Sequence, residues 1–429
     1  DAPYSSKSVG FGGEKLKARA NVAENVENPL GVHNTCQGTK DRDYLGIHTL
    51  IDLFSNKCLR EVGKSLTVCN SESLLTKSNI KYQPIIGDLT IEKITFCIPS
   101  KNNVRYLKAC IPSIRKNSYR KDHDIIIFVD ADNDGTVKWL ESVKEKYNLK
   151  YYINDTNELY GIGRAYDKCI NESNTDIFMI FHADMMLGKN ADLEAMKYLD
   201  KKKIVCATRI EPPLHPENGE KIIKDFGMWP EKDVEEGWLE DDFDKYVEEA
   251  KVEFKDKITN GCFAPWMMYK DDFISIGGHD PRFASAREDS DVFNRLVLDG
   301  FELIQSWESF VYHLTARGGQ FQHGKLTKNH NQKSKEWQKL MNNSTREFFR
   351  KWGTGVQHNN LMMPIITPKY DIGFIIKNCN YELLYQLEPW CSNIYAELPK
   401  DLREMFVNAE QPDTMFDLNE RVKRFYDEK

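Results

Sequence analysis

Several short stretches of this chain carry oxygen and nitrogen donors where a reaction could be run. Asp130-Ala131-Asp132-Asn133-Asp134-Gly135-Thr136 opens a run to Glu141 that matches a calcium-binding loop at every ligand position. A calcium loop of that kind must follow a helix. Here it follows Asp124-Ile125-Ile126-Ile127-Phe128-Val129, a buried parallel strand by its β-branched and aromatic content. The stronger reading is a strand-end acidic loop in which Asp130 and Asp132 accept hydrogen bonds from a nucleobase or ribose. A plain turn with a helix N-cap at Asp134 is its rival. Phe181-His182-Ala183-Asp184 ends another apolar run. A carboxylate one step past a buried strand is costly unless it is paired or bound to a cation. Mg2+ or Mn2+, which take one or two protein oxygens and share the rest with substrate phosphates, suit Asp184. His182 lies on the same side in a period-2 strand and either ligates, hydrogen-bonds or is structural.

Arg287-Glu288-Asp289-Ser290-Asp291 precedes Val292, Phe293, Leu296 and Val297, apolar positions at helical spacing, so these acids sit at a helix N-terminus. There they stabilise the helix dipole, or one of them supplies a general base to an acceptor hydroxyl within hydrogen-bond reach. Val311-Tyr312-His313 closes a late strand and places His313 to add an imidazole to the metal of Asp184, although a lone histidine is more often structural. Gly161-Ile162-Gly163-Arg164 opens a helix. Small residues at a helix N-terminus favour a phosphate, and Arg164 adds a positive charge. Ile98-Pro99-Ser100-Lys101-Asn102 leaves the first strand at the same sheet edge, where backbone and short polar groups meet a nucleotide.

A sheet is needed to line these stretches up. After Glu92, β-branched runs over 94–98, 125–129, 151–153, 177–181 and 204–207 alternate with helical stretches over 103–117, 137–147, 162–172 and 191–199. That pattern predicts an open α/β, Rossmann-like fold with a mostly parallel central sheet, which binds ligands outside the carboxyl ends of its strands. The catalytic domain is read as residues 93–319. An irregular arm (1–43) and a small extension (44–92) precede it, and a helical or irregular extension (320–429) follows, with a helix from Lys333 to Trp352. The stretch from Glu211 to Lys257, with Trp229 and Trp238, reads as a lid, an acceptor-binding insertion or a bland loop.

The composition bounds the function. At 429 residues, 40% hydrophobic and 29% charged, with 19 Tyr and 22 Phe, the chain has ample material for a folded enzyme. A net charge of −7 gives no basic footprint, so nucleic acid is not an expected partner. The 10 cysteines form no C-x-x-C pair, and several sit in apolar runs, which points to a reducing, cytoplasmic compartment with peripheral membrane attachment left open. No apolar run is long enough for a transmembrane helix and no leader pattern opens the chain; since it begins at Asp1, a processed or truncated start stays open.

Taken in order, the motifs between Ile94 and Gly319 resemble the family 2 glycosyltransferases of the A-type fold. The opening Ile98-Pro99-Ser100, the acidic strand end from Asp130 to Thr136 and the helix start Gly163-Arg164-Ala165 match the family's donor-nucleotide segments. The family's Asp-x-Asp metal motif falls on His182-Ala183-Asp184, with the first aspartate replaced. Gly277-Gly278-His279-Asp280 through Phe283 is similar to its acceptor-side segment, Glu288-Asp289 to the pair whose second acid is the catalytic base, and Val311-Tyr312-His313 to its closing motif. The resemblance implies a metal-dependent, inverting, hexosyltransferase-like enzyme moving a sugar from a UDP- or GDP-linked donor to a glycan, lipid-linked or protein-linked acceptor. It assigns catalysis to Asp289 with Glu288, Mn2+ or Mg2+ to Asp184 and His313, and the donor to Pro99, Ser100, Asn102, Asp130, Asp132, Gly163, Arg164 and His182. The rivals are a non-catalytic calcium- or carbohydrate-binding module using the Asp130–Glu141 loop and a sugar-phosphate nucleotidyltransferase. The second would need a Gly-rich, Lys-containing loop in place of Pro99-Ser100-Lys101-Asn102. Oligomeric state is not legible.

Overall fold

The structure, a computed structural model, describes residues 91–156, 160–228, 237–315 and 335–425. The arm, nearly all of the 44–92 extension, Trp229 and the expected boundary at Gly319 lie outside the described residues.

Isoleucine-rich runs without glycine form the first two strands, β1 (Ile94–Lys101) and β2 (Asp124–Ala131), joined by α1 (Val104–Asn117). Both strands are buried almost throughout, as expected of parallel strands covered on both faces. There follow α2 (Thr136–Val143), β3 (Leu149–Ile153), α3 (Ile162–Asn171), β4 (Ile177–Ile180), β5 (Met185–Leu187), α4 (Ala191–Met196), β6 (Lys203–Glu211) and β7 (Lys221–Ile223). Then come α5 (Glu240–Glu253), β8 (Ile258–Asn260), β9 (Trp266–Tyr269), α6 (Lys270–Ser275), α7 (Glu288–Leu298), β10 (Glu302–His313) and α8 (Lys335–Trp352). The strands make one 10-stranded sheet in the order β3-β2-β1-β4-β9-β6-β10-β5, with β7 on β6 and β8 on β10. The expected strands and helices are present, and the sheet is mostly parallel; β9 runs antiparallel between β4 and β6, and β5 and β8 run antiparallel to β10.

The strand order reverses direction at β1. From β1 the chain moves outward through β2 and β3 and returns on the other side of β1 as β4. Pairing of β1 with β4 stops at Cys97, whereas pairing with β2 continues to Lys101. The carboxyl end of β1 therefore runs on without a β4 neighbour, at the switch point where open α/β sheets take their ligands. Pro99 lies in the stretch of β1 that has already lost its β4 neighbour, so its missing N–H costs no bond to that strand.

Residues 320–429, expected to be helical or irregular, hold in their described part a second sheet. After α8 come β11 (Gly373–Ile376), α9 (Tyr381–Leu387), β12 (Asn393–Ala396), α10 (Lys400–Glu410), α11 (Leu418–Arg421) and β13 (Val422–Arg424), with β11-β12-β13 parallel. Leu384, Ile394, Phe406, Leu418 and Val422 make its own core. At its junction with α8, the fully buried Glu388 accepts hydrogen bonds from Arg350 at 2.6 Å and Arg421 at 2.8 Å and pairs with Arg346 at 3.4 Å.

Candidate active site

His182 and Asp184 occupy the turn between β4 and β5. Because β5 pairs with the end of β10, with His313 opposite Met185, the last residue of β10 arrives beside them. The Leu314 N–H donates to the Asp184 carbonyl at 3.1 Å and fixes the approach. His182, Asp184 and His313 offer ligand atoms that all lie within 4.8 Å of one another. His313 Nε2 is 3.7 Å from Asp184 Oδ1, and the two imidazoles meet edge to face at 5.4 Å. Burial first, and then the neighbouring His313 and Arg209 side chains, push the His182 imidazole down to about 3. It is therefore neutral at ordinary pH, with a lone pair to give. Two imidazoles and a carboxylate suit Mn2+ better than Mg2+, which prefers an all-oxygen shell.

A second layer backs this group. His313 Nδ1 is 2.8 Å from Glu211 Oε1, and Glu211 also accepts from Arg209 at 2.7 Å and from Lys221 at 2.8 Å. Arg209 also reaches Glu220 and lies over the Phe263 ring at 3.9 Å. Burial raises the Glu211 carboxyl, but Arg209, His313 and Lys221 outweigh it and hold the group well below the ordinary carboxylate range. Sequence reading misses Arg209 and Glu211 because it ends this strand at Ala207; their alternation with Ile210 on one strand face was the available signal.

Glu288 and Asp289 open α7. Ala286 and Arg287 just before them both adopt left-handed backbone, at φ 66 and 73. That conformation is costly for non-glycine residues and turns the chain sharply into the helix. Glu288 packs against α3 where Gly163 allows it: a Cβ on Gly163 would lie 3.0 Å from the His279 Cβ and 3.5 Å from that of Glu288. Burial, and then the charge of Asp289, push the Glu288 carboxyl up to about 8, and its Oε2 has no hydrogen-bond partner among the described residues. Asp289 is less buried and accepts from the Ser290 N–H at 2.6 Å. One turn along α3 from Gly163, the hydroxyl of Tyr166 is also buried without a partner among the described residues. Burial first, and then the charges of Glu288 and Asp184, raise it well above its ordinary value, so it stays a protonated donor. Tyr166 stacks on His279 at 5.7 Å, and Asp167 holds His279 Nδ1 at 2.7 Å. Sequence reading misses Tyr166 as well; its i,i+3 spacing from Gly163 was the clue.

The remaining predicted residues line the β1 and β2 ends. Ser100 is buried with its hydroxyl unpartnered among the described residues, and Asn102 accepts from the Asn133 N–H at 2.6 Å. Asp130 accepts from the backbone N–H groups of Tyr160 at 2.9 Å and Gly161 at 3.3 Å and from the Asn154 amide at 2.8 Å. Asp132 caps α2 through the N–H groups of Thr136 at 2.7 Å and Val137 at 3.2 Å, and Asp134 accepts from Val104 N–H at 2.9 Å. These carboxylates brace the loop and tie it to neighbouring segments, and the strand β2 precedes it, which disfavours the calcium-loop reading. Arg164 is exposed and its guanidinium lies 4.2 Å from the Tyr160 ring centre. Among the described residues no helix is long and apolar enough to cross a membrane.

No curated protein matches the chain significantly. Among solved structures, GalNAc-T7 with UDP, GalNAc and Mn2+ is similar at 11% identity over 53% of this chain and 44% of that one, with a TM-score of 0.39. S. aureus TarS 1–349 is similar at 12% identity over 52% and 60%, with a TM-score of 0.38, and its complex with UDP at 14% identity over 52% and 60%, with a TM-score of 0.37. The chain thus spans less than two thirds of the length of each of these proteins. The family described as Glycosyl transferase family 2 matches residues 95–274, which run from β1 into α6 and carry His182, Asp184, Tyr166 and Glu211. Over that segment the chain is similar to glycosyl transferase family 2.

Proposed function

We propose that this protein moves a hexose from a UDP- or GDP-linked donor to an acceptor hydroxyl with inversion, and that it requires Mn2+ or Mg2+. The observation that carries the reading is the gathering of His182, Asp184 and His313 from distant parts of the chain at the sheet edge where β1 and β4 part. Those side chains would hold the metal, which when bound supplies positive charge to the donor diphosphate. Ser100, Asn102 and the acidic loop line the nucleotide side, while Gly163 and Arg164 present a helix N-terminus and a cation to the phosphates. Asp289, the more accessible of the paired acids, takes the acceptor proton as the acceptor oxygen bonds to the anomeric carbon. The bond from that carbon to the phosphate oxygen breaks, and the nucleoside diphosphate leaves with its electrons. Glu288, kept protonated by burial, leaves the base role to its neighbour. The buried free thiols, Cys97, Cys110, Cys169, Cys206, Cys262, Cys379 and Cys391, support a cytoplasmic setting.

The test is donor binding and hydrolysis by the purified protein with UDP-, GDP- and CMP-sugars, in Mn2+, in Mg2+ and in chelator. Metal-dependent binding of one donor supports the reading. No nucleotide binding, with Ca2+ binding lost in Asp130→Ala, would replace it with the calcium module.

A further inference from the structure

We propose that Glu211 is a positioning residue for the metal, setting the tautomer and aim of His313; the inference rests on the metal reading above. A carboxylate can only accept, so at 2.8 Å from Glu211 Oε1 the proton of His313 resides on Nδ1. Nε2 is then the nitrogen turned toward Asp184 Oδ1, 3.7 Å away. A cation between them would take both as ligands, and His182 borders the same space. Outer-layer carboxylates of this kind orient ligating imidazoles and raise their basicity. Glu211 is itself held on both oxygens, by Arg209 at 2.7 Å and by Lys221 at 2.8 Å. Arg209, Glu211, Glu220 and Lys221 are 6%, 1%, 3% and 7% exposed, so the whole network is buried. Lys221 stands on β7, so the chain beyond β6 reaches back to fix the metal's surroundings.

The experiment is Mn2+ titration of the full chain, followed by the electron paramagnetic resonance signal of free Mn2+, with the absorption spectrum of the Co2+-loaded protein as a second readout. Glu211→Ala is expected to weaken Mn2+ binding roughly 10- to 100-fold. Glu211→Gln and Lys221→Met are expected to weaken it less, with an altered Co2+ spectrum. Should Glu211→Ala fail to fold, the two milder variants decide. Unchanged Mn2+ affinity and Co2+ spectrum in folded Glu211 variants, with binding lost in His313→Ala, overturn the positioning role and leave the metal reading intact. No Mn2+ binding by the wild-type chain overturns the metal reading, and the inference with it.

Discussion

The carboxylate of Asp291, fully buried in the first turn of α7, lies 2.6 Å from the ammonium of Lys351 near the end of α8. The same ammonium is 2.6 Å from Asp280 Oδ2, in the loop that follows the Gly277-Gly278 turn. Burial raises the Asp280 carboxyl, but hydrogen bonds from Arg282 and Lys351 outweigh it and hold the group well below the ordinary range. One side chain thus ties α8 both to the turn that bears Glu288 and Asp289 and to the loop from Gly277 to Phe283. Lys351→Met removes the shared cation from two mostly buried acids that keep Arg282, Arg295 and Trp352 as partners, and it should cost about 2 kcal/mol in denaturant unfolding. Turnover should fall with it, because the acids at the start of α7 lose their brace.

Asp289→Asn keeps the shape of the α7 N-terminus and removes the proposed base. We expect turnover to fall by about 10²- to 10⁴-fold, the usual worth of a general base, while donor binding stays within about twofold. Equal losses in binding and turnover would reassign Asp289 to substrate holding.

Metal removal and Asp184→Ala should act alike on donor binding, since Asp184 is the carboxylate of the proposed metal group. Chelator should abolish metal-dependent donor binding in the wild type and leave Asp184→Ala almost unaffected. Isothermal titration with a UDP-sugar, with and without Mn2+, reads both.

The Glu288 carboxyl gives a prediction with a definite sign. Its folded value of about 8 lies above the ordinary value of 4.5, so between those limits the folded chain holds a proton that the unfolded chain has released. Stability from this group therefore falls as pH rises through that window, by up to about 1.4 kcal/mol per pH unit. Glu288→Gln removes the dependence. Denaturant melts at pH 6 and pH 8 should show a larger loss for the wild type than for the variant.

The parallel half of the sheet is legible in the sequence because runs such as Ile125 to Val129 are β-branched, uninterrupted and spaced by helices. His182, Asp184 and His313 are legible because each stands at the end of such a run. The strand β9, Trp266 to Tyr269, is hidden: its antiparallel place between β4 and β6 is decided by partners remote in sequence. The strands β11 to β13 span at most four residues each and show no usable period. Arg209 and Glu211 look solvent-facing to any rule that puts charge outside, and they are buried because they neutralise each other. The acids from Asp130 to Asp134 have the composition of a ligand set, yet backbone N–H groups of their own loop and of the segments beside it donate most of their hydrogen bonds, a detail that spacing alone does not carry.

The arrangement of β5 and β10 also bears on how the protein is made. As the chain leaves the ribosome, β1 to β4 can pair long before β10 exists, while β5 stands at the sheet edge with β10 as its pairing strand. A nascent or truncated chain ending before Glu302 would have β1 to β4, His182 and Asp184, but no His313 and no β10 to gather them. Premature release thus yields a product that lacks one of the three groups of the proposed metal centre.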